Sequence, residues 1–487
     1  MHLKILRRGG REYLLVVQSY RQDGKVKTRT VETIGYADAY ADRYADPIAH
    51  FKTYVAQLNA EAVGGETPIE FSFGAKDTIG AQALPPVRLG ASIALGCLDA
   101  LGVKDFFHAR AAHGDVPTYV GRVYEMLAVE RMMHATSKRE SWTARASFPR
   151  DCDFSFSDAY EALGSISRSC ADIDFCAQES WRRIAGEPDT SCIYLICGSY
   201  AFPVDGGALR ASIAVALDKG GMPLGYHVVN GRLGPKCFRE MLEGLKGRLQ
   251  AGRAVVVAGG LRDLNPSIAE VTKTGDGFAF YERGMMNNPD LAEWANESDG
   301  YVPMGGDVYM KRRRTTRVLA DDVALPVQEI MLRGGGYATS YTHAALVTSE
   351  VGMDAGDVVQ LYRELWRQAE PFQPLEADFS STPYPTAALD HISAHFSICY
   401  VAFFALRMLR WKMGWQYNAA NTADALLRME GTFLQRNYYL FNYRTRVTDC
   451  IEEAVGLQKA RRLRTRAELR GVVTTVRSSL IAKKKPK

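Results

Sequence analysis

The sequence predicts an α/β fold: a mixed core sheet interrupted by a β-rich insertion, preceded by an N-terminal β-hairpin/helical region and followed by a C-terminal helical region. Three observations carry this reading. Residues 191–230 contain three strand-like runs, SCIYLICGSYAF, LRASIAVALD and MPLGYHVVN, separated by short turns with Gly206-Gly207 and Gly220-Gly221. A helix starting at Pro235, the strand in AVVVAGGL (254–261), a short helix from Pro266 and GFAFYER then alternate helix with strand. Residues 285–352 are irregular, glycine-containing and rich in strand-formers, and they precede the amphipathic DAGDVVQLYRELWRQAEPF.

Taken in order, residues 11–36 alternate polar and apolar around Asp23-Gly24, a hairpin turn pair. Residues 46–65 follow as a linker helix, so region 1–80 is hairpin plus helix. Region 81–188 is helical and is read as DNA-binding. Its clearest helix is PTYVGRVYEMLAVERMMHATSKRES (117–141), and Ser157-Asp158 marks a further helix start. Region 189–284 holds three antiparallel strands and then alternating helix and strand, the outline of an RNase H-like core. The insertion spans 285–352, the second part of the core 353–416, and a helical region with a basic tail 417–487. Residues 386–413 and 417–470 are expected to be helical.

Composition bounds the function. A chain of 487 residues with 47% hydrophobic and 24% charged residues is globular, with two to four domains. The longest apolar helix candidate, Ile398–Leu409, is too short to cross a bilayer, and MHLKILRRGG has no apolar signal core. A cytoplasmic, nucleoid-associated protein without a membrane partner is expected. The nine cysteines form no CxxC pair, and Cys192 and Cys197 point to opposite faces of one strand, so buried thiols are expected. His391 and His395 have a zinc-like spacing but apolar neighbours and no metalloprotease Glu, which favours packing. Gly334–Gly336 lack the Lys-Ser/Thr of a phosphate loop, and neither a G-x-S-x-G elbow nor a Cys-His motif is present. The net charge of +5 is mild, but KRRRTTR (311–317), KARRLRTRAELR (459–470) and KKKPK (483–487) are cationic clusters. The hairpin adds Arg21, Lys25, Lys27 and Arg29. Such clusters attract phosphate backbones by counterion release, or else form a solvated surface.

A core of this outline suits two-metal phosphoryl transfer, which needs carboxylates from separate elements around two cations about 4 Å apart. The sequence does not supply them. The AVVVAGGL strand ends in Ala258, Gly259 and Gly260, none of which can do chemistry.

From about residue 12 to residue 470 the chain resembles the insertion-sequence transposases of the DDE type, a bacterial superfamily whose RNase H-like core is interrupted by a β-strand insertion. The landmarks are collinear: YLLVVQSYRQDGKVKTRTVETIGY, ERMMHATSKRES, FSFSDAYEALGSI, VALDKGGMPLGYHVVNG, AVVVAGGL, YATSYTHAALVTSE, LYRELWRQAEPF and HISAHFSICYVAFFALRML. The resemblance implies three catalytic acids, and each maps onto a residue that cannot act as one. The first falls on Leu195 (or Ile196) in YLICGSY, and the second on Ala258 (or Gly259). The third falls on Ala369, fixed by Trp366 and Phe372. The family's cationic companions map onto Leu365, Glu376 and Thr382 ahead of Pro383; of that signature only Tyr362 remains.

The nearest acids are Asp205, Asp263 and Glu370, while Asp218 occupies a family position without a catalytic role. Glu370 is turned about 100° from Ala369 on a helix, and Glu364 does not share its face. The expectation is therefore a DNA-binding transposase-family protein of an insertion sequence that does not cleave DNA. No catalytic residue, metal or cofactor is expected. Its partner would be double-stranded DNA, at transposon ends or derived sites, and a homodimer is compatible. Arg21, Lys138, Arg139, Arg312, Arg313, Arg314 and Tyr362 are the expected DNA contacts, with a helix-cap role competing at Ser137–Arg139. Two alternatives stand: an active DDE transposase using displaced acids with Mg or Mn, and an interaction scaffold with no nucleic-acid role.

Overall fold

The computed structural model describes residues 1–22, 25–44, 46–63, 69, 71, 74, 85–134, 136–204, 207–231, 235–258, 268–282, 288–305, 307–318, 324–334, 343–366, 388–434 and 437–482. The chain folds as two compact units. One comprises Met1–Pro86, Gly431–Phe441 and Arg462–Gly471; the other comprises Val87–Glu430, Asn442–Arg461 and Val472–Lys487.

In the first unit, β1 (His2–Arg8), β2 (Arg11–Gln22) and β3 (Lys25–Tyr36) form an antiparallel sheet with β2 central. Period-two alternation puts Leu14 and Val16 of β2 on one face. There they are buried against Phe51, Tyr54 and Val55 of the helix α1 (Pro47–Val63). The β2–β3 register shifts twice, at Leu14/Leu15 and Val16/Val17. Such bulges on an edge strand discourage pairing with another chain. Three short strands, Glu430–Phe433, Tyr438–Phe441 and Leu463–Thr465, pair antiparallel through Gly431–Phe441 and Tyr438–Thr465.

The second unit begins with β4 (Val87–Arg88) and the helices α2 (Leu89–Ala100), α3 (Val103–Ala112), α4 (Tyr119–Met133), α5 (Lys138–Thr143) and α6 (Phe156–Ala185). Its sheet contains β5 (Cys192–Val204), β6 (Gly207–Leu217), β7 (Pro223–Asn230), β8 (Arg253–Ala258), β9 (Gly277–Tyr281), β10 (Val302–Gly305), β11 (Val308–Val318), β12 (Ala324–Arg333) and β13 (His343–Thr348). The strand order is β10-β11-β12-β13-β9-β8-β5-β6-β7. β5, β6 and β7 are an antiparallel meander, β8 lies parallel to β5 and β9 parallel to β8. The insertion strands join antiparallel through β13 onto β9.

Between the strands run α7 (Pro235–Leu249), α8 (Ile268–Lys273), α9 (Pro289–Asn296) and α10 (Ala355–Trp366). Phe238, Met241, Leu242 and Leu245 of α7 bury one face of β5, β8 and β9. The long apolar helix α11 (Ala388–Lys412) packs among α2, α4 and α6. Tyr124 of α4 donates to the Ser397 carbonyl (3.0 Å), and Gln178 of α6 donates to the Tyr400 hydroxyl (2.5 Å). Helices α12 (Ala419–Arg428), α13 (Arg446–Ala454) and α14 (Arg466–Ile481) complete the chain.

Several elements differ from the sequence-based expectation. The N-terminal hairpin gains a third strand, β1. The expected helix 117–141 breaks, because His134 takes an extended conformation and Ser137 and Glu140 form a capping box that starts α5 anew. The start placed at Ser157-Asp158 lies at Ser155, with Asp158 closing the box from the third helical position. The insertion contains a helix, α9, nucleated by an Asn288 cap and Pro289. The C-terminal region is not all helical, since β-formers in EGTF and YYLF make strands there. The helix expected over 386–413 is α11, but its apolar stretch is longer than Ile398–Leu409: Leu389–Lys412 is long and apolar enough to cross a membrane, yet 94% of its most apolar window is buried within the chain. His391, Ser393, His395 and Ser397 interrupt its apolar run and concealed its length.

Candidate functional site

Strands β5 and β8 are parallel neighbours, with Leu195 opposite Val256. Alternation puts Ile193, Leu195 and Cys197 on the same face as Ala254, Val256 and Ala258, and all six belong to one buried core. The structure thus brings together two of the three positions that the resemblance assigns to acids. Leu195 is 1% exposed and Ala258 2%, beneath the α7 side chains. Ile196, the alternative register, is buried on the opposite face at 6%. The polar atom nearest in kind is the Cys197 thiol, whose pKa burial pushes up to about 12, so it stays protonated at neutral pH. Divalent magnesium or manganese takes oxygen ligands. Leucine and alanine offer none, so these two positions do not fit the metal pair of DDE chemistry. Among the described residues, no group of three or more His, Cys, Asp or Glu is arranged to hold a metal ion.

The third position, Ala369, lies outside the described residues, as do Gly259, Gly260, Asp205, Asp263, Glu370, Glu376, Thr382, Pro383 and the tail from 483. Tyr362 sits on α10 at 9% exposure. Asp218 serves the β6–β7 turn, accepting from the Met222 amide at 2.8 Å. His395 stacks edge-on to Phe202 and Phe396 with its Nε2 3.5 Å from the Cys399 thiol. His391 lies against Tyr160, and burial lowers its pKa to about 4, assisted by Lys138.

The basic candidates separate by environment. The Lys138 ammonium is buried, so it does not face solvent, whereas Arg139 is exposed with its guanidinium 5.6 Å over Phe156. Arg21 lies in β2, and its side chain is outside the described set. The KRRRTTR run forms β11, and alternation splits it into two faces. On one face Lys311 is buried and donates to the carbonyls of Trp294 and Glu297. On the same face Glu329, 1% exposed, accepts from Arg313 Nε (2.6 Å) and pairs with Arg317 Nε (2.7 Å). Arg313 also bonds Asp290, and Arg317 bonds Glu282 at 2.7 Å. On the other face Arg312 and Arg314 are exposed. In the 459–470 cluster, Lys459 pairs with Glu453 (2.8 Å), Arg470 with Glu32 (3.4 Å), and Arg464 is buried over Phe441.

Residues 3–67 match the model of the IS1634 family transposase, N-terminal domain. That stretch is similar to the N-terminal domain of IS1634 family transposases. That match supports an insertion-sequence transposase, and no curated protein matches the chain. The matched residues coincide with β1, β2, β3 and α1, and so contain Arg21 but none of the residues mapped to acids.

Two polar centres escaped the sequence reading. Glu329 stands inside the apolar run ALPVQEIMLR, opposite Arg313 in the β11–β12 register. A lone acid on a buried strand facing an arginine run was the available signal. Asp174 of α6 is buried beside Tyr400 and Gln178, and burial raises its pKa to about 6 against the opposing pull of Arg248. Arg248 reaches it past Gly225, where φ is +150° and a Cβ would sit 2.4 Å from the guanidinium. Nothing in the helical periodicity around Asp174 announces that contact.

Proposed function

We propose that this chain is a DNA-binding member of the insertion-sequence transposases, acting on double-stranded DNA in the cytoplasm without cleaving it. The observation that carries the loss of cleavage is the placement of Leu195 and Ala258 on one buried sheet face, where the related catalytic centre requires carboxylates. Without them an attacking hydroxyl is neither activated nor aligned by metal. Support for an RNase H-like core comes from the antiparallel meander β5-β6-β7 followed by the parallel strands β8 and β9, with the β-rich insertion attached at β13.

Support for retained binding is of two kinds. The matched N-terminal region has an apolar core of its own, and the second unit has capped helices and a continuously registered sheet. A sequence consistent at these levels still specifies one structure. Neutral residues in place of acids also relieve the repulsion that a metal-free acidic pocket would exert on phosphates. The test is an anisotropy titration of a labelled duplex with the full chain in EDTA. The proposal expects binding that weakens linearly in log affinity against log salt. No binding at low salt would refute it.

A further inference from the structure

We infer that one face of β11, carrying Arg312, Arg314 and Thr316, is a ridge that tracks the phosphate backbone of duplex DNA, while Arg313 in the same run is a structural residue. The inference rests on the DNA-binding reading above and specifies where and how that contact is made.

Residues 312, 314, 316 and 318 of β11 are all exposed, whereas Lys311 is buried and 313, 315 and 317 are half-buried. Arg313 and Arg317 are neutralised by Glu329, Asp290 and Glu282, so their charge is already satisfied inside the fold. Arg313 is further held 4.3 Å over the Trp294 ring. These contacts pin one side of the strand and leave the other side free to meet a partner. On that open side Arg314 makes no ion pair among the described residues. Among the described residues Arg312 has one acidic partner, Asp354 at 3.7 Å, with both side chains more than half exposed. Water screens such a pair, and it is worth little. Asp354 is in addition engaged by the Gly356 amide at 2.8 Å.

The spacing suits a polyanion. Two strand residues advance about 6.8 Å, close to the spacing of adjacent phosphates on one DNA strand, which rise about 3.4 Å and turn about 36° per step and so lie about 7 Å apart. A strand laid along the sugar–phosphate backbone therefore offers Arg312 and Arg314 to successive phosphates, and the Thr316 hydroxyl can act as a neutral donor at the next step. Arginine is suited to this role because its planar fork meets phosphate oxygens in pairs. Contacts of this type position a protein without reading sequence.

The test compares the full chain with Arg312→Gln/Arg314→Gln and with Arg313→Gln, by salt-titrated anisotropy on two duplexes of unrelated sequence, with thermal unfolding measured alongside. Loss of two phosphate contacts reduces the slope of log affinity against log salt by about 1.8, and weakens binding roughly 30-fold at about 0.15 M salt. The loss should be equal on both duplexes, with unfolding unchanged. Arg313→Gln should lower the unfolding temperature and keep the parent slope. If the parent binds and the double variant keeps its slope and affinity, the ridge is refuted and DNA binding stands. If the parent itself shows no salt-sensitive binding, both fall.

Discussion

Replacing Leu195 by Asp restores the residue type that the family resemblance implies, and the structure says the fold will not accept it. Leu195 is 1% exposed in an apolar core. Losing its burial costs about 2 kcal/mol. A carboxyl there finds no cation among its core neighbours, so it must be protonated to stay inside. From an ordinary pKa near 3.9, protonation at pH 7 costs about 4 kcal/mol at about 1.36 kcal/mol per pH unit. The sum, about 6 kcal/mol, is comparable to the whole stability of many domains. The pH dependence identifies the cause. The folded carboxyl titrates above its unfolded value, so the folded state holds the extra proton. Its stability is retained at low pH and lost as pH rises. Between about pH 4.5 and 7 the variant should lose roughly 3 kcal/mol relative to the parent. Leu195→Asn, which loses the apolar contact without gaining a titratable group, should show no such slope. Urea midpoints at the two pH values measure this directly. An Asp variant as stable as the parent at pH 7, or one whose deficit does not shrink in acid, would refute the packing argument.

Two further perturbations follow from the buried polar centres. Asp174, raised from 3.8 to about 6 by burial, makes the parent lose about 3 kcal/mol as pH rises through that window. Asp174→Asn should remove the step, and matching pH–stability curves for the two proteins would contradict it. Glu329→Gln keeps the side-chain volume but removes the charge that Arg313 and Arg317 share, and should destabilise by about 3 kcal/mol. An unchanged melting temperature would show the cluster to be energetically silent.

The parts of this fold legible in the sequence were those with local signals. Period-two runs marked β5, β6 and β7, and a proline start marked α7, while the start expected at Pro266 lies outside the described residues. A valine run marked β8, and the register of β5 against β8 then brought Leu195 and Ala258 onto one face. What stayed hidden depended on competition or distance. Ser137 could cap a new helix only because His134 left the old one, and apolar periodicity alone does not record that contest. The strands near Gly431 and Leu463 form through pairings that neither segment specifies by itself. The arginine run was legible as charge but not as two faces, because its division required knowing that it was a strand with Glu329 beside it. Helix α11 was legible over 386–413, but the polar residues early in it hid how long its apolar stretch is, and that stretch is buried within the chain.

The central claim is that the frame persists while the chemistry is gone, and strand cleavage tests it most directly. Supercoiled plasmid and labelled linear duplex should be incubated with a saturating amount of the full chain, in magnesium and then in manganese, with EDTA as the blank. The account predicts bound DNA that remains uncut in both metals. Nicks that form with metal, vanish in EDTA and track the purified protein would contradict it.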